Sequence, residues 1–234
     1  GVFLGIENAA ESGLRALMRR AHPAEIAQAV DALTAAGMAV TYNLLIFHPH
    51  ATLAEITRNI AFVRAHPALP FDFGRAELVA GSPLEAQVIR EGLRCGSWPR
   101  WDYRLADPDA ERLFDLYRRT FRGRDAWYSP LMHALIVRCY AARTLCRLHP
   151  GPAAERLCDA ADALTARANG FVLDRLEEAI ALAPHADDAV VQAFNARLQQ
   201  GCHELYARVR RLTGILERLQ AADRIFRFFR VGGE

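Results

Sequence analysis

The feature that most constrains this chain is a single change of rhythm near residue 105. Before it, short apolar runs rich in strand formers alternate with amphipathic stretches; after it, apolar residues recur only at three- and four-residue steps. The first run is Val2-Phe3-Leu4-Gly5-Ile6. Helix-like text follows over 11–20 and again over 23–36, where Ile26, Val30 and Leu33 fall at helical spacing and Gly37 stops the pattern. Residues 39–47 (AVTYNLLIF) read as a second strand, broken by His48-Pro49-His50. Thr52 then stands as the N-cap of a helix over 53–64 with Glu55 at the capping-box position, and a third strand is expected over 73–79. Strands separated by whole helices pair in parallel through right-handed crossovers, because antiparallel neighbours need only short turns. The fold class is therefore α/β, barrel-like or doubly wound. In both architectures functional residues collect just beyond the carboxyl ends of the strands.

The remainder, 106–234, reads as a helical region distinct from the α/β part at 1–105. Helices are expected over 107–121, 131–148 and 152–183; the last carries Leu157, Ala161, Leu164, Ala168, Phe171, Leu176 and Ile180 on one face and runs about 45 Å at helical rise. Pro184-His185 is the turn of a long helical hairpin whose second arm, 187–229, has a seam of Val191, Phe194, Leu198, Cys202, Leu205, Val209, Leu212, Leu216 and Leu219.

Composition narrows the function classes. With 234 residues, 52% hydrophobic and 24% charged, the chain is globular, and no uncharged apolar run approaches the roughly 18 residues that a bilayer crossing requires. All 29 basic residues are arginine, against 27 acids, so the net charge of +2 offers nucleic acid no electrostatic footprint. The absence of lysine reads as a coding bias. Five scattered cysteines, Cys95, Cys139, Cys146, Cys158 and Cys202, form no CxxC motif and suit a reducing cytoplasm, each as a small buried apolar residue.

Several polar residues sit where chemistry would be expected. Alternation places Phe3, Gly5 and Glu7 on one face of the first strand, and Thr41, Asn43, Leu45 and Phe47 on one face of the second. A buried amide without partners costs a few kcal/mol, so Asn43 faces a polar lumen or ligand unless neighbouring backbone satisfies it. Glu7, at a strand end, either accepts hydrogen bonds from ribose hydroxyls or an amine, or caps a helix. Arg75 and Glu77 point the same way beside Gly74, into a cavity for a polar ligand or else onto a solvated edge, or toward each other. His48 and His50 are spaced as a metal pair, but no further ligand lies near in sequence, and substrate contact outweighs a metal site. Trp98, Trp101 and Tyr103 read as a plug over an apolar edge more than as a stacking platform.

In order along the chain, Gly5-Ile6-Glu7-Asn8, Leu14 and Leu17, Ala36-Gly37-Met38-Ala39-Val40, Leu44 to Thr52, and the tail Thr52, Glu55, Asn59 and Phe62 together resemble the second half of a radical S-adenosylmethionine (SAM) domain, specifically its cobalamin-binding subgroup. The stretch from Arg75 to Leu84, ending Gly81-Ser82-Pro83-Leu84, is similar to that family's sixth-strand segment. The resemblance covers about residues 1–105, with a weaker echo at Trp101-Asp102-Tyr103.

It implies the C-terminal half of a partial (β/α) barrel followed by an all-α region. It implies a parent that cleaves SAM reductively to a 5′-deoxyadenosyl radical, and methylates or rearranges a small-molecule or peptide substrate. Gly5, Glu7, Asn8, Asn43, Phe47 and Pro49 would lie on the SAM side, with His48, His50, Arg75 and Glu77 on the substrate side. The implied cofactors are SAM, a [4Fe-4S] cluster and cobalamin, and the implied partner is a reductant protein such as a flavodoxin or ferredoxin, with neither nucleic acid nor membrane.

Two departures stand out. The family's glycine-rich turn G-x-P-G-x-T is Phe47-His48-Pro49-His50-Ala51-Thr52 here, and the cluster motif C-x3-C-x2-C is absent. The expectation is a fragment whose cluster and cobalamin sites lie upstream. The competing expectation is a non-catalytic barrel fragment in which the helical hairpin acts as an interaction module. An ordinary phosphate-binding barrel is disfavoured, since no glycine-rich loop precedes a helix.

Overall fold

The computed structural model describes residues 1–222, with side chains through Arg218. Three parallel strands, β1 (Val2–Glu7), β2 (Val40–Phe47) and β3 (Phe71–Arg75), lie side by side in chain order. Between β1 and β2 come α1 (Glu11–Ala16) and α2 (Pro23–Ala35); α3 (Leu53–Ala65) connects β2 to β3. A short helix α4 (Pro83–Arg90) leads into an antiparallel hairpin, β4 (Arg94–Ser97) and β5 (Arg100–Tyr103). The rest is helical: α5 (Pro108–Thr120), α6 (Tyr128–Leu148), α7 (Pro152–Leu182), a turn of 3-10 helix at Ala183–His185, and α8 (Asp188–Ala222).

The local causes are visible in the sequence. Thr52 caps α3 by accepting the Glu55 amide, and Ser82 does the same for α4 from Glu85, with Pro83 pre-set for the first turn. Alternation along β2 buries Val40, Tyr42, Leu44 and Ile46 beneath the helices, while Thr41, Asn43 and Leu45 stay half-exposed on the other face. The buried face continues through Phe71 and Phe73 onto α3 and α7, and the apolar interior runs without a break from Ile6 of the sheet to Val209 of α8. The opposite face is largely uncovered: Phe3 is 63% exposed, and Gly5, Asn43 and Gly74 lie along it.

Several elements depart from the sequence reading. Helix α1 stops at Ala16 instead of running to 20, because Met18 adopts a left-handed conformation (φ 55°) that turns the chain back and delivers Arg19 to Glu7. Strand β3 occupies Phe71–Arg75 rather than 73–79; β2 ends at Phe47, so beyond Ala76, whose amide bonds the Phe47 carbonyl, no ladder remains to pair with. Helix α4 and the β4–β5 hairpin were not expected at all. Finally, α7 and α8 are not a free-standing hairpin, since α6 packs against both. The seam from Val191 to Leu216 on α8 is buried as expected; Leu219 and residues 223–229 fall outside the described side chains or residues.

Candidate functional site

Strands β1 and β2 both end irregularly at their carboxyl ends. In β1 the pairing skips one residue between Leu4 and Glu7, and in β2 it skips one between Leu45 and Phe47. Such bulges re-aim side chains. Glu7 has φ 64°, a left-handed conformation uncommon for a non-glycine residue. Its carboxylate folds back over Gly5, where a Cβ would sit 3.1 Å from Oε1, so Gly5 is the opening through which Glu7 reaches the uncovered face. Arg19 Nη2 donates to the same Oε1 at 2.6 Å.

Directly behind Glu7 lies a buried polar cluster built by α3. Asn8 is fully buried and donates Nδ2 to Glu55 Oε1 at 2.9 Å, while its Oδ1 accepts from the Ala10 amide at 2.9 Å and from Asn59 Nδ2 at 3.0 Å. Asn59 Oδ1 accepts the Ala9 amide at 2.8 Å. Ser12 Oγ donates to Glu55 Oε2 at 2.9 Å, and His48 Nε2 meets Glu55 Oε1 at 2.6 Å. Burial alone would raise the Glu55 carboxyl, but the His48 ring, by hydrogen bond and charge, with Ser12 and Asn8, outweighs it and holds the group below its usual value. The loop after β1 and the start of α1 are thus tied to α3 through Asn8, Ser12, Glu55 and Asn59, and all of these but Ser12 are buried.

A second feature opens on the sheet's uncovered face, a cavity of about 490 Å³ lined by Asn43, Leu45, Asp72, Gly74, Arg75 and Glu77 of the sheet and by Phe114, Tyr117, Arg118 and Arg122 of and beyond α5. Asn43 Oδ1 is buried there with no hydrogen-bond partner among the described residues. Arg75 is held firmly: Nη1 lies 3.0 Å from Asp102, Nη2 donates to the Tyr103 carbonyl, and its guanidinium carbon stands 3.8 Å and 4.2 Å from the ring centroids of Tyr103 and Phe114. Arg122 is clamped as well, donating Nη2 to Asp72 at 2.8 Å and Nε to the Tyr117 hydroxyl at 2.7 Å. Burial pushes the Tyr117 and Tyr128 hydroxyls well above the ordinary tyrosine range, so both stay protonated and donate, Tyr117 to the Phe73 carbonyl at 2.7 Å and Tyr128 to Asp72 at 2.9 Å.

Of the residues singled out from sequence, Gly5 and Glu7 meet at the rim of the uncovered face, and Asn43, Arg75 and Glu77 share the cavity. Arg75 and Glu77 do not pair with each other; Arg75 takes Asp102. Asn8 lies behind Glu7 rather than on the open face. His48 is 1% exposed against Glu55, His50 bonds Glu91 at 2.8 Å, and neither lines the cavity. Phe47 packs its ring on Phe114 and Tyr117 in the core, and the Pro49 carbonyl accepts the Ala106 amide at 2.7 Å. Within the aromatic trio only Tyr103 is a plug: its hydroxyl donates to the Ala76 carbonyl at 2.6 Å across the strand ends, whereas Trp98 is 79% exposed.

The α5 residues Tyr117, Arg118 and Arg122 escaped the sequence reading because their place beside β3 is purely tertiary. The dense Tyr117-Arg118-Arg119…Arg122 run at a helix end was the one signal pointing to them. Among the described residues no group of three His, Cys, Asp or Glu converges as a metal site, and no helix is long and apolar enough to cross a membrane. Cys139 and Cys202 are buried, and burial pushes their thiols up to about 11 and about 12. Compared with known proteins, the chain matches no family model, no curated protein and no solved structure.

Proposed function

We propose that this chain is the distal part of a cobalamin-dependent radical SAM enzyme that methylates or rearranges an unactivated carbon of a small-molecule or peptide substrate. The observation that carries the reading is the polar, uncovered face of a three-stranded parallel sheet, with the Glu7 carboxylate over Gly5 at its rim and the unpartnered Asn43 Oδ1 in its cavity. Supporting it, β1 has no strand on its outer edge among the described residues. A preceding half-barrel would supply that strand and close the lumen.

The residues present fit SAM. Glu7 offers a carboxylate to an ammonium or to ribose hydroxyls, Gly5 gives close approach, and Asn43 offers an acceptor that lacks a donor. When bound at a [4Fe-4S] cluster held by a preceding segment, SAM supplies the carbon radical that abstracts a substrate hydrogen. This chain's own part is positional. Glu7 and Asn43 orient the cofactor; Arg75 and Arg122, immobilised by Asp102 and Asp72, form fixed walls for the substrate; Glu77, exposed and without an ion-pair partner among the described residues, presents a free carboxylate at the cavity. With the cluster reading comes a reductant protein as partner and a cytoplasmic setting.

The interaction-module reading rested on the α8 seam. That seam is consumed by packing within the chain, from Val191 through Leu216, which removes the feature that favoured it. The test is calorimetric titration of SAM into the complete polypeptide that carries this chain. Glu7→Ala is expected to weaken binding by about 1 to 3 kcal/mol, the cost of losing a charged hydrogen bond. Unchanged affinity would reject the role of Glu7.

A further inference from the structure

The Glu7 backbone needs an explanation that the SAM reading does not supply. A glutamate has no intrinsic reason to sit at φ 64°, and a left-handed non-glycine residue persists only where its surroundings over-determine it. At the end of β1 the Asn8 amide donates to the Ile6 carbonyl at 2.8 Å, closing a tight turn about Glu7 where the pairing is irregular, and Arg19 holds the carboxylate at 2.6 Å, but neither bond fixes the loop that follows. The restraint comes from α3, one crossover away. Asn59 holds the Ala9 amide and the Asn8 side chain; Glu55 holds Asn8, Ser12 and His48; Asn8 closes back on the Ala10 amide. These bonds fix residues 8, 9, 10 and 12, so the chain leaving Glu7 has one path.

Gly13 completes the arrangement. It lies in α1, where alanine would ordinarily be the better helix former, yet a Cβ there would fall 2.3 Å from Asn8 Cγ and Nδ2 and 2.5 Å from Oδ1. The Asn8 amide occupies the space that any other side chain at position 13 would need.

We infer that Asn8, Glu55, Asn59 and Gly13 are positioning residues for Glu7: they lock the loop after β1 so that the Glu7 carboxylate is held over Gly5, facing the ligand side of the sheet. The inference rests on the reading of Glu7 as a SAM contact. Asn59 and Gly13 touch no ligand; they act through Glu7, which separates this role from general stabilisation of the fold.

The experiment is a double-mutant cycle on SAM affinity in the complete polypeptide, by calorimetry under anaerobic conditions, with Glu7→Ala, Asn59→Ala and the pair. Asn59→Ala is expected to weaken SAM roughly tenfold in the native background and less than twofold once Glu7 is already alanine. Gly13→Ala, which leaves every donor and acceptor in place, serves as an independent route should Asn59→Ala fail to fold. It is expected to lose about as much affinity as Asn59→Ala and to show the same non-additivity. A full Asn59 or Gly13 effect in the Glu7→Ala background would overturn the inference while leaving Glu7 a SAM contact, as would unchanged affinity in both variants. No effect of Glu7→Ala itself would overturn the contact, and the positioning role with it.

Discussion

At the scale of single residues, Glu55 is a buried carboxylate ringed by hydrogen-bond partners. Its carboxylate is 2% exposed and receives Asn8, Ser12 and His48. Because its pKa is lowered in the fold, the stabilisation it contributes is fully present above the unfolded-state value of about 4.3 and is lost as pH falls through the lower folded value. The thermal midpoint is therefore expected to drop as pH is lowered below about 4, and Glu55→Gln, already less stable at neutral pH, should show a shallower drop; calorimetric scans from pH 7 to 3 check this. An equally steep acid limb in Glu55→Gln would assign it to other carboxylates. Position and polarity alone single out Glu7 and Asn43, and the fold brings Glu7 over Gly5 and Asn43 to the lining of the cavity. The burial of Asn8 was not legible, because the left-handed turn at Glu7 decides which way the next residue faces and no glycine marks that turn; nor was that of His48, which is set by its tertiary bond to Glu55.

At the scale of elements, the outer edge of β3 is closed by side chains instead of by another strand. The Phe73 carbonyl accepts the Tyr117 hydroxyl at 2.7 Å and Arg122 at 2.7 Å, while its amide donates to the Tyr128 hydroxyl at 3.3 Å. These bonds occupy polar backbone groups that an edge strand would otherwise leave open to pairing. Tyr117→Phe removes one of these bonds and leaves the partly exposed Arg122 Nε short of an acceptor, so a loss of about 1 to 3 kcal/mol is expected by urea unfolding. A loss near zero would mean that water or Asp72 replaces the hydroxyl. The strands and long helices were readable because apolar period and caps agree: Thr52 with Glu55, Gly37 after α2, the three- and four-residue seam of α8. Helix α4 had an equally clear signature in Ser82-Pro83-Leu84-Glu85. The β4–β5 hairpin had none, since Arg94-Cys95-Gly96-Ser97 lacks strand alternation and the ladder is secured by tertiary bonds, Tyr103 to the Ala76 carbonyl and Asp102 to Arg75.

At the scale of the whole molecule, the chain is a mixed α/β structure whose small parallel sheet packs helices against one face and on the other borders a cavity that α5 also lines. The parallel βαβαβ order followed from helix-length connections. The site's α5 wall did not, because no local pattern says against which strand edge a distant helix will lie. What an open face means chemically depends on what completes it, and the account holds that a preceding half-barrel with cluster cysteines does so. The most direct measurement is to determine the reading frame upstream of Gly1. The account expects C-x3-C-x2-C roughly four βα-unit lengths back. An in-frame start close to Gly1 with no such cysteine set before it would contradict it.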